Sequence, residues 1–320
     1  MSELLTPPAL PPGGRIGVVA LASPIAPERL EQGLAALRAC GFEVVLGEHV
    51  LVRSGHHAGA PADRAADLHA LFDRPDIDAI FCARGGSSSI RVLEHLDFEL
   101  IRAHPKVFVG YSDITTVMLA LLARSGLRSF FGPMLAPDWA NGLAAGAQDN
   151  LWRLICRASP AGALDTSLPG PAASPRPPPS PLVGGRAQGV LVGGTLALVG
   201  ATLGTPEQID LTDRIFVFED IHESPARIER YLTQLGRARL LEKAAGFLVG
   251  PLRWDVSDDE RPSFLPFETV LQECLGRYGR PTLLHYPCGH VPNPVPLPLG
   301  TRVELDADQR VLRVLESAVR

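Results

Sequence analysis

Residues 106–118 read KVFVGYSDITTVM. A β-branched apolar run ends at Gly110, Ser112 follows at a turn, and apolar positions then return at helical spacing. The pattern is strand, turn, helix, with the serine at the turn. Such a turn lifts a hydroxyl onto an exposed apex beside the N–H groups of a helix start, where developing negative charge is favoured. Ser112 is therefore a candidate nucleophile, and the amide of Asp113 a candidate donor to an oxyanion. Ser followed by Asp is also what a helix N-cap and first turn look like, so the pair alone does not decide the chemistry.

Outward from this stretch, Arg15 to Phe131 alternates short apolar runs with longer amphipathic ones. Strands are expected at Ile16 to Leu21, Val44 to Leu46, Ile77 to Cys82 and Val107 to Val109. Between the first two, Leu30, Leu34 and Leu37 recur at helical spacing after Pro27, and Gly41 stands where that helix ends. This is the signature of a parallel sheet wrapped by helices. Asp165 to Gly185, DTSLPGPAASPRPPPSPLVGG, is too rich in Pro and Ser for a core element and reads as a semi-extended linker. The expected domains are thus 1–165 and 187–320, joined by 166–186. The second should hold a Gly-rich helix (Gly194 to Leu203), a strand (Ile215 to Phe218), a helix opened by Ser224-Pro225, a strand (Gly246 to Val249) and a β-like tail from Thr301 to Leu315. The fold class is α/β: an N-terminal Rossmann-like parallel-sheet domain and a smaller mixed C-terminal domain with a β-rich tail.

Composition excludes several functions. A chain of 320 residues that is 46% hydrophobic can bury a large core. A net charge of -5 gives no electrostatic footprint for nucleic acid or an anionic membrane, so neither partner is expected. The five cysteines (Cys40, Cys82, Cys156, Cys274, Cys288) lack C-x-x-C spacing and imply neither a disulfide framework nor a zinc site. Met1 to Gly14 has no basic start and no continuous apolar run, and no segment elsewhere has the apolar length of a membrane span. A cytoplasmic location is expected.

A serine hydroxyl needs a base, itself oriented by a third group. Glu219 ends the apolar run Ile215 to Phe218, at the strand end where open α/β sheets carry functional groups, with Asp220 and Glu223 as rivals. The cluster Asp220, His222 and Glu223 lacks a helical HExxH or a matching second ligand group, so no metal is expected. For the base, His285 ends the apolar pair Leu283-Leu284, whereas His290 lies in CGHVPNPVPLPLG, a loop stiffened by prolines. Spacing does not choose between them. Ala83-Arg84-Gly85-Gly86-Ser87 follows the third strand, and its paired glycines allow close backbone approach. Neither a Walker spacing nor G-x-G-x-x-G is met, and a second oxyanion donor from Gly86 is the reading that suits Ser112.

The stretch CARGGSSSIRVLEHLDFELIRAHPKVFVGYSDITTVMLALLARSGLRSFFGPM resembles the N-terminal core of the LD-carboxypeptidase family, which includes murein tetrapeptide carboxypeptidases and microcin C immunity hydrolases. The likeness extends through HHAGAPADRAADLHALF, GTLALVGATLGTP, FVFEDIHESPARIERYLTQL and PCGHVPNPVPLPLGTRVELDAD. It implies a triad of Ser112, Glu219 and His290, with His290 rather than His285 as base, and the amides of Gly86 and Asp113 as the oxyanion hole.

The resemblance further implies cleavage of the amide before terminal D-Ala in a murein tetrapeptide during peptidoglycan recycling, without a cofactor, in a homodimer. A substrate with a free carboxylate needs a cation, and Arg84 is the nearest in sequence. Two positions depart from the family pattern: Ser87 stands where relatives are usually aromatic, and Thr195 where Asn is common. Both are expected to alter substrate contacts and not to touch the triad. The alternatives are hydrolysis of peptidyl- or aminoacyl-nucleotide conjugates and a non-catalytic small-ligand binder.

Overall fold

A computed structural model describes residues 4–168, 176–254 and 263–320. The first half runs β1 (Arg15–Val19), α1 (Pro27–Ala39), β2 (Glu43–Leu46), α2 (Pro61–Asp73), β3 (Ala79–Cys82), α3 (Phe98–Ala103), β4 (Val107–Gly110), α4 (Thr115–Ala120), β5 (Ser129–Phe131) and α5 (Ala145–Ile155). The second runs β6 (Gly162–Ala163), β7 (Ser180–Val183), β8 (Arg186–Thr195), α6 (Leu196–Ala201), β9 (Arg214–Ile221), α7 (Pro225–Arg237), β10 (Gly246–Arg253), α8 (Phe267–Leu275), β11 (Thr282–Leu284), β12 (Leu297–Leu299), β13 (Arg302–Asp306) and β14 (Val311–Val314).

The fold is α/β, as expected, with two sheets. The first has the order β12-β5-β4-β3-β1-β2 and is parallel except for β12, which lies antiparallel on β5. The second has the order β6-β14-β13-β8-β9-β10-β11-β7; its central strands β8 to β11 are parallel, and its flanks are antiparallel. Strands β3 and β4 are buried throughout because helices cover both faces of a parallel sheet. Helix α1 starts at Pro27 as anticipated and buries Leu30, Leu34 and Leu37. Gly41, at φ +90°, then turns the chain toward β2.

Strand β9 shows how the sheets are joined. Ile215 and Val217 face a core shared with the first sheet, while Phe216 and Phe218 face a second core built on α6, α7 and α8. Because side chains alternate along a strand, Glu219 falls on the face of Ile215 and Val217. That face looks toward the turn that carries Ser112.

Three local expectations change. The Gly-rich helix expected from Gly194 starts only at Leu196, because Gly193 and Gly194 extend β8 at φ +139° and +144°. A Cβ on Gly193 would lie 1.8 Å from the Val217 carbonyl, and one on Gly194 would lie 2.6 Å from Thr115. These glycines serve close strand and helix approach, not helical packing. Strand β9 also runs on to Ile221, so Glu219 lies inside a strand and not after it. Finally, Ser180–Val183, within the stretch read as a linker, forms edge strand β7, where prolines are tolerated. The remainder of that stretch includes 169–175, outside the described residues.

A chain crossing ties the halves together: β12, late in the second half, returns to the first sheet. Among the described residues no helix is long and apolar enough to cross a membrane. Gly193→Ala is expected to lower the free energy of unfolding by about 2 to 3 kcal/mol through forced overpacking at a strained φ. Urea denaturation followed by circular dichroism checks this, and an unchanged midpoint contradicts the account of β8.

Candidate active site

At the end of β4, Tyr111 is extended and Ser112 takes φ +64°. A non-glycine residue in this left-handed region is strained, and here the strain turns the chain sharply from strand into the helical turn before α4. The Gly85-Gly86 pair packs against this apex. A Cβ on Gly85 would come within 2.7 Å of Ser112 Cβ, and one on Gly86, at φ +121°, within 2.2 Å of Ser23 Oγ. The glycines are thus required by the approach of the two loops to Ser112 and Ser23.

A buried polar strut sets the spacing of these loops. Ser89 donates its backbone N–H to Asp113 Oδ2 at 2.7 Å and its hydroxyl to the Asp113 carbonyl, with Thr116 Oγ1 at 2.7 Å. Arg64, buried behind it, donates from Nη1 to the carbonyls of Leu21 at 2.6 Å and Ser88 at 3.3 Å. Burial pushes the Asp113 carboxyl upward, against hydrogen bonds from Ser89.

His290 Nε2 lies 2.9 Å from Ser112 Oγ, and His290 Nδ1 lies 2.7 Å from Glu219 Oε2. With the carboxylate accepting from Nδ1–H, Nε2 is left to accept the serine proton. Glu219 is fully buried and also accepts from the His290 N–H at 3.3 Å and from Thr195 Oγ1 at 2.7 Å. Thr195 therefore touches Glu219, the acid expected in the triad, contrary to expectation. Its backbone N–H in turn donates to Thr115 Oγ1 at 3.0 Å, next to the turn that carries Ser112. The sequence signals this role only as a polar residue at the end of β8, and the strand pairing of Thr195 with Glu219 gives it meaning. Gly289, at φ +68°, leaves room for the acid; a Cβ there would lie 2.6 Å from Glu219 Cδ.

Burial alone would lower the His290 pKa, but the charge and hydrogen bond of Glu219, with Asp220 and Asp138 adding, hold it above the ordinary histidine value. The Tyr111 ring packs edge-on against His290 at 5.0 Å. Asp138, paired with Tyr111 and accepting the Met134 N–H at 2.8 Å, is pushed up to about 7 by burial. Asp220 is likewise pushed up to about 7 by burial, and it accepts the amides of Ala197 and Ile221.

A cavity of about 600 Å³ opens over Ser112 and His290, lined also by Arg29, Arg84, Gly85, Gly86, Asp113 and Thr195. The rivals Asp220 and Glu223 line it too, as does His222, but Glu219 is the acid that meets His290. His285 is not among the lining residues; its Nε2 lies 3.8 Å from Glu268 on α8. Ser87 is not a lining residue either, and its backbone N–H donates to Ser23 Oγ at 3.2 Å. Among the described residues no three His, Cys, Asp or Glu are grouped as metal ligands. The geometry equips Ser112 to lose its proton to His290 and attack an electrophilic carbon.

Models of the LD-carboxypeptidase N-terminal and C-terminal domains match residues 16–132 and 188–305. The chain is 36% identical to a probable murein peptide carboxypeptidase of Bacillus subtilis, over 98% of this chain and 95% of that one. It is 27% identical to the microcin C7 self-immunity protein MccF of Escherichia coli, over 95% and 94%. The solved muramoyltetrapeptide carboxypeptidase from Oxalobacter formigenes superposes with a TM-score of 0.79 at 27% identity, covering 94% of this chain and 97% of that one.

The Glu219 contact predicts the titration of His290. By NMR its pKa should lie above the ordinary value of about 6.5, and in Glu219→Gln it should fall below that value, because burial then acts without the compensating charge. An unchanged pKa in the variant contradicts this electrostatic account.

Proposed function

The chain belongs to the LD-carboxypeptidase family, and from that premise we propose that it is a serine hydrolase that removes terminal D-Ala from a murein tetrapeptide. The observation that carries the reading is the hydrogen-bonded line Ser112, His290, Glu219, at 2.9 and 2.7 Å. A small-ligand binder has no need of a strained serine aligned on a buried imidazole and carboxylate.

In this reading Ser112 Oγ attacks the carbonyl carbon of the scissile amide as its proton passes to His290 Nε2. The carbonyl oxygen gains the negative charge and is held by the amides of Gly86 and Asp113, beside the apex. Collapse breaks the C–N bond, and His290 returns the proton to the leaving nitrogen, releasing D-Ala. Water, deprotonated by His290, then attacks the acyl-enzyme, and Ser112 recovers its proton as the shortened peptide departs. Glu219 holds the Nδ1–H tautomer throughout and stabilises the imidazolium. Thr195 is a positioning residue, because it acts on the reaction through Glu219. The same reading places the enzyme in the reducing cytoplasm, where its five free thiols are stable.

Nucleotide conjugates fit less well. Tyr111 is the one Phe, Tyr or Trp among the described residues lining the cavity, and the residue is 4% exposed, with its ring packed on His290 and Phe131. It offers no open platform for stacking a nucleobase.

Purified protein should release D-Ala from murein tetrapeptide, detected by mass spectrometry, and Ser112→Ala should reduce the rate by at least about 10⁴-fold. Release by the variant at the wild-type rate refutes the mechanism, and hydrolysis confined to an aminoacyl-nucleotide conjugate refutes the substrate. Thr195→Val should lower kcat about 10- to 100-fold with little change in KM, because it leaves a buried carboxylate oxygen without a donor. Thr195→Ser should restore most of the loss; equal losses in both variants would argue for a packing role.

A further inference from the structure

Two guanidinium groups face the cavity that holds Ser112, and neither is paired with a carboxylate among the described residues. Arg84 immediately precedes the Gly85 that abuts Ser112, and its Nη1 donates to the Pro24 carbonyl at 3.2 Å. Arg29, in the first turn of α1, donates to the carbonyls of Ala136 and Ala140 and to the amide oxygens of Gln32 and Asn141. Carbonyl and amide oxygens orient a guanidinium without neutralising it. Of five N–H bonds, Arg84 spends one in this way and keeps four, whereas the four contacts of Arg29 leave it one, at Nε.

Three acids line the same cavity, and each is engaged elsewhere: Asp113 accepts the Ser89 N–H at 2.7 Å. Glu223 Oε2 lies 2.6 Å from Arg227 Nε, on α7, so its charge is already answered. Asp220 is held by two backbone amides and pushed up to about 7 by burial, so it carries only part of its charge near neutral pH. The cavity beside the nucleophile is left with an excess of oriented positive charge, which favours a ligand carrying an anion.

We propose that Arg84, supported by Arg29, is the subsite for the free C-terminal carboxylate of the substrate, and so confines hydrolysis to the last residue of a peptide. This rests on the hydrolase reading above. The placement suits that chemistry: in the leaving amino acid one carbon separates the scissile nitrogen from the carboxylate, so its cation must sit within a residue's length of Ser112. Arg84 lines the same cavity as Ser112 and precedes Gly85, the glycine packed against it. A planar guanidinium takes a carboxylate through two parallel N–H···O bonds, which fixes the orientation of the leaving residue as well as its charge.

The test compares two peptides that differ only at the end: a murein tetrapeptide ending in D-Ala and the same peptide ending in D-alaninamide. Binding of each to Ser112→Ala protein is measured by calorimetry, so that no turnover is needed. The acid should bind about 10- to 100-fold more tightly than the amide. Adding Arg84→Gln should bring that ratio to within about threefold of unity, and Arg29→Gln should reduce it by a smaller factor. The ratio is its own control for partial misfolding. Equal affinities for the two peptides, or a preference that survives Arg84→Gln, overturns the proposal. A preference that depends on Arg84, in a protein whose wild type hydrolyses neither peptide, upholds the subsite and defeats the hydrolase reading. Hydrolysis of both peptides without a binding preference does the reverse.

Discussion

A carboxylate buried without any exposure must be met by donors, and Glu219 sets that demand at the centre of this molecule. Its oxygens accept from Thr195, from the His290 imidazole and from the His290 backbone. These donors come from the end of β8 and from the loop after β11, so both must close on β9. Small residues make this possible: a Cβ on Gly250 would lie 2.8 Å from Glu219 Cβ, and one on Gly289 would strike its carboxyl group. The second sheet thereby presents an oriented imidazole, while the first sheet carries the serine and the Gly85-Gly86 loop beside it. Activity in this account depends on how rigidly the two sheets meet.

That meeting is built from apolar and polar parts. One hydrophobic core runs through both sheets, with Ile215 and Val217 on the same cluster as Val107 and Val109. Strand β12 crosses back to pair with β5 and fixes the loop that carries His290 from its far end. On the polar side, Thr115 accepts the Thr195 N–H across the junction, and the Ser89 strut ties the Gly85-Gly86 loop to Asp113. Each contact is local, yet together they set the distance between Ser112, His290 and the amides beside them.

The parts of this arrangement that depend on neighbours along the chain are legible in the amino-acid sequence. The run from Lys106 to Met118 encodes its own strand, turn and helix, and the apolar run from Ile215 to Phe218 marks a strand with Glu219 next along the chain. What depends on contacts between distant segments is not legible there. His285 and His290 look alike in sequence, and only family resemblance favours His290; in the structure one turns to α8 and the other meets Ser112. Gly194 looks like the start of an apolar helix until Thr115 is seen packed against it. Thr195 looks like a substrate contact until the pairing of β8 with β9 sets it beside Glu219. In each case the deciding partner is far away along the chain, where periodicity carries no information.

The central claim is that this buried line of hydrogen bonds makes Ser112 a nucleophile, and reaction with a fluorophosphonate tests it most directly because no natural substrate has to be known. Intact-mass and peptide analysis of the labelled protein should show one adduct, on Ser112, whose formation slows by orders of magnitude when His290 is replaced by Ala. Failure of Ser112 to label in folded protein, or labelling at the same rate without His290, would contradict the account.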